Sequence, residues 1–191
     1  MKQKLIQLIA QKSFNYSETP TFKLASGKLS QYYVNCKPTV LDPYGMNLVG
    51  HLVFEKLDHE VITAVGGLTF GADPIAVATS FVSGLKKQPM NAFSVRKQQK
   101  DHGMIRWIEG DIQAGSHVAI LEDVATTGGS TIKAIERVRS EGLVVSQVVV
   151  LVDRQEGGLD NIRNVVDNVD AIVSRDDIMM HLADRAAQGE I

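Results

Sequence analysis

Glu122 and Asp123 stand side by side where the apolar run Val118-Ala-Ile-Leu121 ends. Val124, Ala125, Thr126, Thr127, Gly128, Gly129, Ser130 and Thr131 follow, and a helical pattern then begins. Two adjacent carboxylates can accept hydrogen bonds from the vicinal hydroxyls of a sugar or hold a hydrated Mg2+. A loop of small residues lets backbone N–H groups come close to a phosphate, and its hydroxyls add donors. The helix after it turns its positive end to the same anion. Together these features read as a cradle for a ribose 5-phosphate; the plainer alternative is a strand-to-helix turn with an acidic edge. There is no Gly-x4-Gly-Lys-Ser/Thr run, and no Gly-x-Gly-x-x-Gly opens the helix. The acids also precede the loop, whereas a dinucleotide fingerprint places its acid about 20 residues beyond it.

A second constellation is Ser94-Val-Arg-Lys-Gln-Gln-Lys-Asp-His-Gly103, which brings Arg96, Lys97, Lys100 and His102 within seven positions. Such a cluster can neutralise a diphosphate, and a histidine can donate a proton near neutral pH; it can also be a solvated charge run. The third is Asp153-Arg-Gln-Glu-Gly-Gly158. Arg154 there can grip a planar carboxylate through parallel N–H bonds, or pair with Asp153 or Glu156 at the surface.

These segments resemble the type I phosphoribosyltransferases, and more narrowly the orotate phosphoribosyltransferases. The cradle resembles their phosphoribosyl pyrophosphate (PRPP) motif, and Arg-Lys-x-x-Lys-x-His-Gly resembles their catalytic loop. The resemblance implies that Glu122 and Asp123 hold the ribose hydroxyls and that residues 124–130 wrap the 5'-phosphate. It places Arg96, Lys97, Lys100 and His102 on PRPP, with Lys100, His102 and Asp123 nearest the chemistry. Thr126 and Arg154 then bind orotate, Arg154 through the carboxylate. It also implies Mg2+ carried mainly by PRPP, with no protein ligand assigned. A homodimer is implied too, in which the 96–106 loop reaches the neighbouring site.

Ser26-Gly27-Lys28-Leu-Ser-Gln-Tyr32-Tyr33 resembles the family's substrate hood, where Tyr32 or Tyr33 could stack on a pyrimidine. Gly66-Gly-Leu-Thr-Phe-Gly71 resembles its diphosphate loop. Two departures stand out. Ala25 occupies the position of a common hood lysine, with Lys23 two residues before it, and residues 64–71 hold no lysine. Two rival readings are a transferase for another base and a PRPP-sensing regulator that has lost its chemistry.

The elements that must position these groups follow from hydrophobic pattern. Residues 2–13 read as an amphipathic helix, and Phe22 to Leu24 and Tyr32 to Asn35 as short strands about the turn at Gly27. Asp42-Pro43 opens a helix to about Leu57, and Val61 to Val65 is a strand ending at Gly66-Gly67. A helix after Asp73-Pro74 carries Ile75, Val77, Ala78 and Phe81. Met90 to Val95 and His117 to Leu121 read as strands, and 130–141 as a helix. Leu143 to Val152 reads as a central strand, and Val169 to Val173 as the last strand. Ser174 with Asp177 resembles a capping box opening a C-terminal helix, with Asp where Glu or Gln is usual.

Continuously apolar strands alternating with helices predict an α/β fold: a central parallel sheet flanked by helices, with a small N-terminal hood from about residues 1–40. A chain of 191 residues suits one domain. The net charge of -2 gives no global reason for nucleic-acid binding, so any basic site must be local. One cysteine, Cys36, forms no internal disulfide and suits a reducing cytoplasm; a small buried residue is the expected role. No apolar run approaches the ~18 residues that cross a bilayer, so a soluble protein is expected.

Overall fold

The computed structural model describes residues 1–23, 27, 29–98 and 107–189. The N-terminal part holds α1 (Lys2–Lys12), β1 (Phe14–Tyr16), β2 (Phe22–Lys23), β3 (Leu29–Ser30), β4 (Tyr32–Val34) and α2 (Lys37–Val40). Then come α3 (Pro43–Lys56), β5 (Ala64–Leu68), α4 (Asp73–Leu85), β6 (Asn91–Val95) and β7 (Ile108–Glu109). The C-terminal part holds β8 (His117–Ala125), α5 (Gly129–Ser140), β9 (Val144–Asp153), α6 (Gly158–Arg163), β10 (Val169–Ser174) and α7 (Arg175–Ala187).

Six strands form one sheet in the order β10-β9-β8-β5-β6-β7, parallel except for β7, which pairs antiparallel with β6 at the edge. Neighbouring residues on a strand face opposite sides, so each inner strand feeds two cores. Val65, Ala119, Leu121 and Val149 pack with α1, α3, α4 and α7 on one face. Ala64, Val118, Ile120 and Val148 pack with α5 and α6 on the other. The predicted α/β fold with helices on both faces is what forms.

The helices start where the sequence supplies caps. Asp42 Oδ1 accepts from the N–H groups of Tyr44 and Gly45 at 3.0 Å each, with Pro43 just inside α3. Such a cap contributes about 1 kcal/mol. At α7 the reciprocal box forms between Ser174 and Asp177.

Several expectations need correction. Tyr32–Val34 does not pair across Gly27; it pairs with Phe14–Tyr16, a strand that the pattern did not reveal, and β2 pairs with β3. Tyr32 lies 6.0 Å from Phe14 and 5.5 Å from Tyr16, so ring packing fixes that partner. Gly66 and Gly67 sit inside β5 instead of ending it. A Cβ at Gly66 would run into Phe93, and one at Gly67 into the Leu121 carbonyl, so backbone closeness explains both. β8 runs on to Ala125, four residues past Leu121, so Glu122 and Asp123 lie within the strand. β9 is second from the edge, and β8 and β5 hold the middle. On α4, Ile75 and Ala78 are buried, whereas Val77 and Phe81 are 58% and 69% exposed.

From β5 the chain builds outward through β6, and from β8 it builds outward the other way through β9 and β10. The order therefore reverses between β5 and β8. A cleft opens at the carboxyl ends of strands on either side of such a reversal. The turn after Leu68 and the loop after Ala125 both leave from that place.

Candidate active site

The loop after β8 is shaped by one glycine. Gly128 has φ +79°, and a Cβ there would stand 2.8 Å from the Gly158 carbonyl and 3.0 Å from Ile162. Residues with side chains pay for that conformation in strain of roughly 1–2 kcal/mol. Among the described residues no side chain caps α5 at Gly128, which leaves its first N–H groups available to an anion. Thr126 is half-buried, while Thr127, Gly129 and Ser130 are exposed. Val124 packs on the core and Ala125 is buried, so these two shape the floor of the loop.

The start of α6 backs this loop. Asn161 donates to the Thr127 carbonyl at 3.0 Å, and the Arg154 N–H donates to the Ala125 carbonyl at 3.0 Å. The Arg154 segment and the cradle are thus built against one another.

The two acids have different surroundings. Glu122 is 5% exposed and turned to α5, where its Oε2 accepts from Ser130 Oγ and Thr131 Oγ1 at 2.7 Å each. Asp123 is half-buried and faces the turn after β5, where a Cβ at Gly71 would stand 2.5 Å from its Oδ1. Only a glycine leaves that carboxylate room. In the same turn Asp73 accepts from Thr69 Oγ1 at 2.6 Å and from Ser94 Oγ at 2.7 Å, tying the turn to β6.

Burial pushes the Glu122 carboxyl up to about 7 from 4.5; the two hydroxyl bonds oppose this, and the neighbouring Asp123 charge adds to it. A raised value favours the protonated form in the fold. That contribution is complete below about 4.5 and is lost as pH rises through about 7. Glu122→Gln keeps an acceptor for both hydroxyls. Above pH 7 it is therefore expected to stabilise the protein by on the order of 2 kcal/mol, with the difference vanishing near pH 4. Thermal unfolding across this range checks it; a difference independent of pH would contradict it.

Arg154 is 5% exposed. Its Nη2 donates to Glu156 Oε1 at 2.7 Å, Ser30 Oγ at 3.2 Å and the Tyr32 carbonyl at 3.5 Å. The pairing with Glu156 occurs, but at a buried guanidinium that also reaches the N-terminal strands. Among the described residues its buried Nε has no hydrogen-bond partner, a state that costs roughly 1–3 kcal/mol until an acceptor arrives. Tyr32 is enclosed by Phe14, Tyr16 and the Arg175 guanidinium, 5.2 Å away; Tyr33 is more open and lies over Phe22.

Of the cationic segment, Arg96 pairs through Nε and Nη2 with Glu109, and Lys97 is exposed. Lys100 and His102 lie outside the described residues, as do Ala25, Ser26 and Lys28. Lys23 is exposed on β2. Cys36 is fully buried, its thiol 3.7 Å from the Asp123 carbonyl, and burial pushes its pKa well above the ordinary range, which removes it as a nucleophile.

Reading the sequence named Glu156 as a partner of Arg154 but did not identify Ser30 or Arg175 as neighbours of the arginine site, since both come from distant segments. Among the described residues, no cluster of three or more His, Cys, Asp or Glu side chains can hold a metal. With no such cluster, the half-buried Asp123 carboxylate suits a cation that arrives bound to a polyphosphate and keeps water in its shell.

No protein-family model matches the chain. An orotate phosphoribosyltransferase of Aquifex aeolicus is 48% identical over 161 residues, covering 84% of this chain and 88% of its own. One from Sorangium cellulosum is 44% identical over 181 residues, 93% of each chain. Mycobacterium tuberculosis orotate phosphoribosyltransferase, solved with Fe(III) dicitrate, aligns with a TM-score of 0.78 at 33% identity, over 93% of this chain and 98% of that one. The same enzyme in complex with PRPP gives 0.74 at 30% identity over 93% and 98%. Relatives this similar over most of both chains leave one conclusion for a cleft with this loop and arginine: the chain belongs to the orotate phosphoribosyltransferase family.

Proposed function

We propose that the protein transfers the 5-phosphoribosyl group of PRPP to orotate, giving orotidine 5'-monophosphate and diphosphate, a step of pyrimidine nucleotide synthesis. The observation that carries this reading is Arg154: a buried guanidinium at the mouth of the sheet, on a residue whose backbone N–H bonds to the cradle strand, with an Nε that has no partner among the described residues. An acidic pyrimidine supplies the acceptor that this donor lacks.

The reaction breaks the C1'–O bond to an anionic leaving group. Positive charge grows on the ribose while negative charge gathers on the diphosphate. The cradle, residues 124–130, holds the 5'-phosphate by backbone N–H groups and hydroxyls, and Asp123 holds a ribose hydroxyl. Glu122, bonded to Ser130 and Thr131, acts on the ribose more through the shape of the cradle than by direct contact. Thr126 and Arg154 orient orotate toward C1'. Arg96, Lys97, Lys100 and His102 stabilise the departing diphosphate, for which pre-placed charge is the largest effect. Mg2+, when carried in by PRPP, supplies further countercharge to the same oxygens.

The whole chain serves as one phosphoribosyltransferase domain, with residues up to about 40 forming the hood over orotate. A homodimer is also part of the proposal, with the 96–106 loop reaching the neighbouring site. Its support is the apolar face of α4, where Val77, Phe81 and Leu85 are 58%, 69% and 64% exposed. Faces of this kind mark association surfaces. No described helix is long and apolar enough to cross a membrane. A cytoplasmic setting fits the single unpaired Cys36.

Competition among bases tests the substrate. With PRPP and Mg2+ present, orotate is expected to be consumed, and uracil or adenine in excess to leave its rate unchanged. Consumption of a base without a carboxylate in preference to orotate would remove Arg154 from its role.

A further inference from the structure

α5 ties down the start of the cationic segment from two sides. β6 and β7 pair through Val95 and Ile108, and just beyond them the Arg96 N–H donates to the Trp107 carbonyl at 2.8 Å. Arg137 Nη1 donates to the carbonyl of Arg96 at 2.7 Å, and Nη2 to the carbonyl of Lys97 at 3.1 Å. The guanidinium carbon of Arg137 lies 4.2 Å from the Trp107 ring centroid. At the C-cap of α5, four residues beyond Arg137, Glu141 Oε1 accepts the backbone N–H of Trp107 at 2.7 Å. Residues four apart share a helix face, so Arg137 and Glu141 work as a pair. A planar guanidinium can bridge two carbonyls and stack on an indole at once; a lysine ammonium has neither the fork nor the plane. The other end of α5 is the cradle, where Ser130 and Thr131 bond to Glu122.

We infer that Arg137 is a positioning residue, which fixes the backbone of Arg96 and Lys97 relative to the cradle so that these cations meet the diphosphate of PRPP. The inference rests on the reading of Arg96 and Lys97 as PRPP contacts. Arg137 touches no reacting atom. It acts through the carbonyls that it holds, and Glu141 supports it by holding Trp107.

The test uses full-length Arg137→Met, Arg137→Lys, Glu141→Ala and Lys97→Ala. Trp107 is the only tryptophan of the chain, so its emission reports on this root directly. Both Arg137 variants are expected to lose at least about tenfold in kcat/KM for PRPP, because a shift of about 1 Å in reacting groups costs on the order of a hundredfold. KM for orotate is expected to stay near that of the wild type. The change in Trp107 emission on adding PRPP is expected to shrink.

A folded Arg137→Met with wild-type kinetics and emission response overturns the inference. So does full rescue by lysine, which would leave charge alone as the cause. A parallel loss in both KM values would mark a merely structural role and overturn it as well. If the Arg137 variants fail to fold, Glu141→Ala decides by the same split between the two substrates. Loss in Lys97→Ala beside wild-type behaviour in Arg137→Met sinks the positioning role alone. Unchanged PRPP kinetics in Lys97→Ala would instead sink the underlying reading, and the inference with it.

Discussion

Arg154→Met is expected to raise KM for orotate by on the order of 10²–10³-fold while leaving KM for PRPP nearly unchanged. The magnitude follows from what the side chain does. A buried guanidinium bonded at 2.7 Å to Glu156 and holding an unpartnered Nε is a charge-assisted site waiting for an acceptor. Methionine keeps the apolar bulk in the niche beneath Ser30 and Tyr32 and removes every donor. Removing one partner of a buried charged hydrogen bond costs roughly 2–5 kcal/mol, which corresponds to the loss stated. Steady-state kinetics with each substrate varied checks it. Equal loss for orotate and PRPP, with a lower melting temperature, would mean that Arg154 serves the fold by joining β9 to the N-terminal strands, not the substrate.

Lys100→Ala is expected to lower kcat by on the order of 10²–10³-fold, the usual effect of deleting one pre-placed group facing developing negative charge. The melting temperature is expected to hold. Arg96, which the proposal already places on the diphosphate and which also pairs with Glu109, adds no new cation to replace the lost ammonium. Unchanged turnover would take the cationic segment out of the chemistry.

The cradle was legible because it is local. Strand, acids, small-residue loop and helix follow one another from 118 to 131, and each residue type limits the backbone that can carry it. Arg154 was legible for the same reason, lying directly after an apolar strand. The capping residues Asp42 and Ser174 were equally readable, since a cap acts within four residues of itself. What could not be read depends on distance in the chain. The pairing of Phe14–Tyr16 with Tyr32–Val34 is decided by ring contacts across the N-terminal segment, and short strands carry little pattern of their own.

The difference in surroundings between Glu122 and Asp123 was likewise hidden. It depends on β8 continuing to Ala125 and on α5 bringing Ser130 and Thr131 back over the strand. On α4, Val77 and Phe81 have the periodicity of a core face and yet are exposed. Hydrophobic period identifies a face that wants covering and does not say whether the chain itself covers it. Arg137 is the extreme case: it meets Arg96 and Lys97 across about 40 residues of sequence, with no motif to announce it.

The central claim is that this cleft joins orotate to the ribose of PRPP. Purified protein mixed with orotate, PRPP and Mg2+ is predicted to consume orotate, seen as loss of its near-ultraviolet absorbance, at a rate proportional to enzyme and only when PRPP is present. No loss of orotate under conditions where a known orotate phosphoribosyltransferase is active would contradict the account.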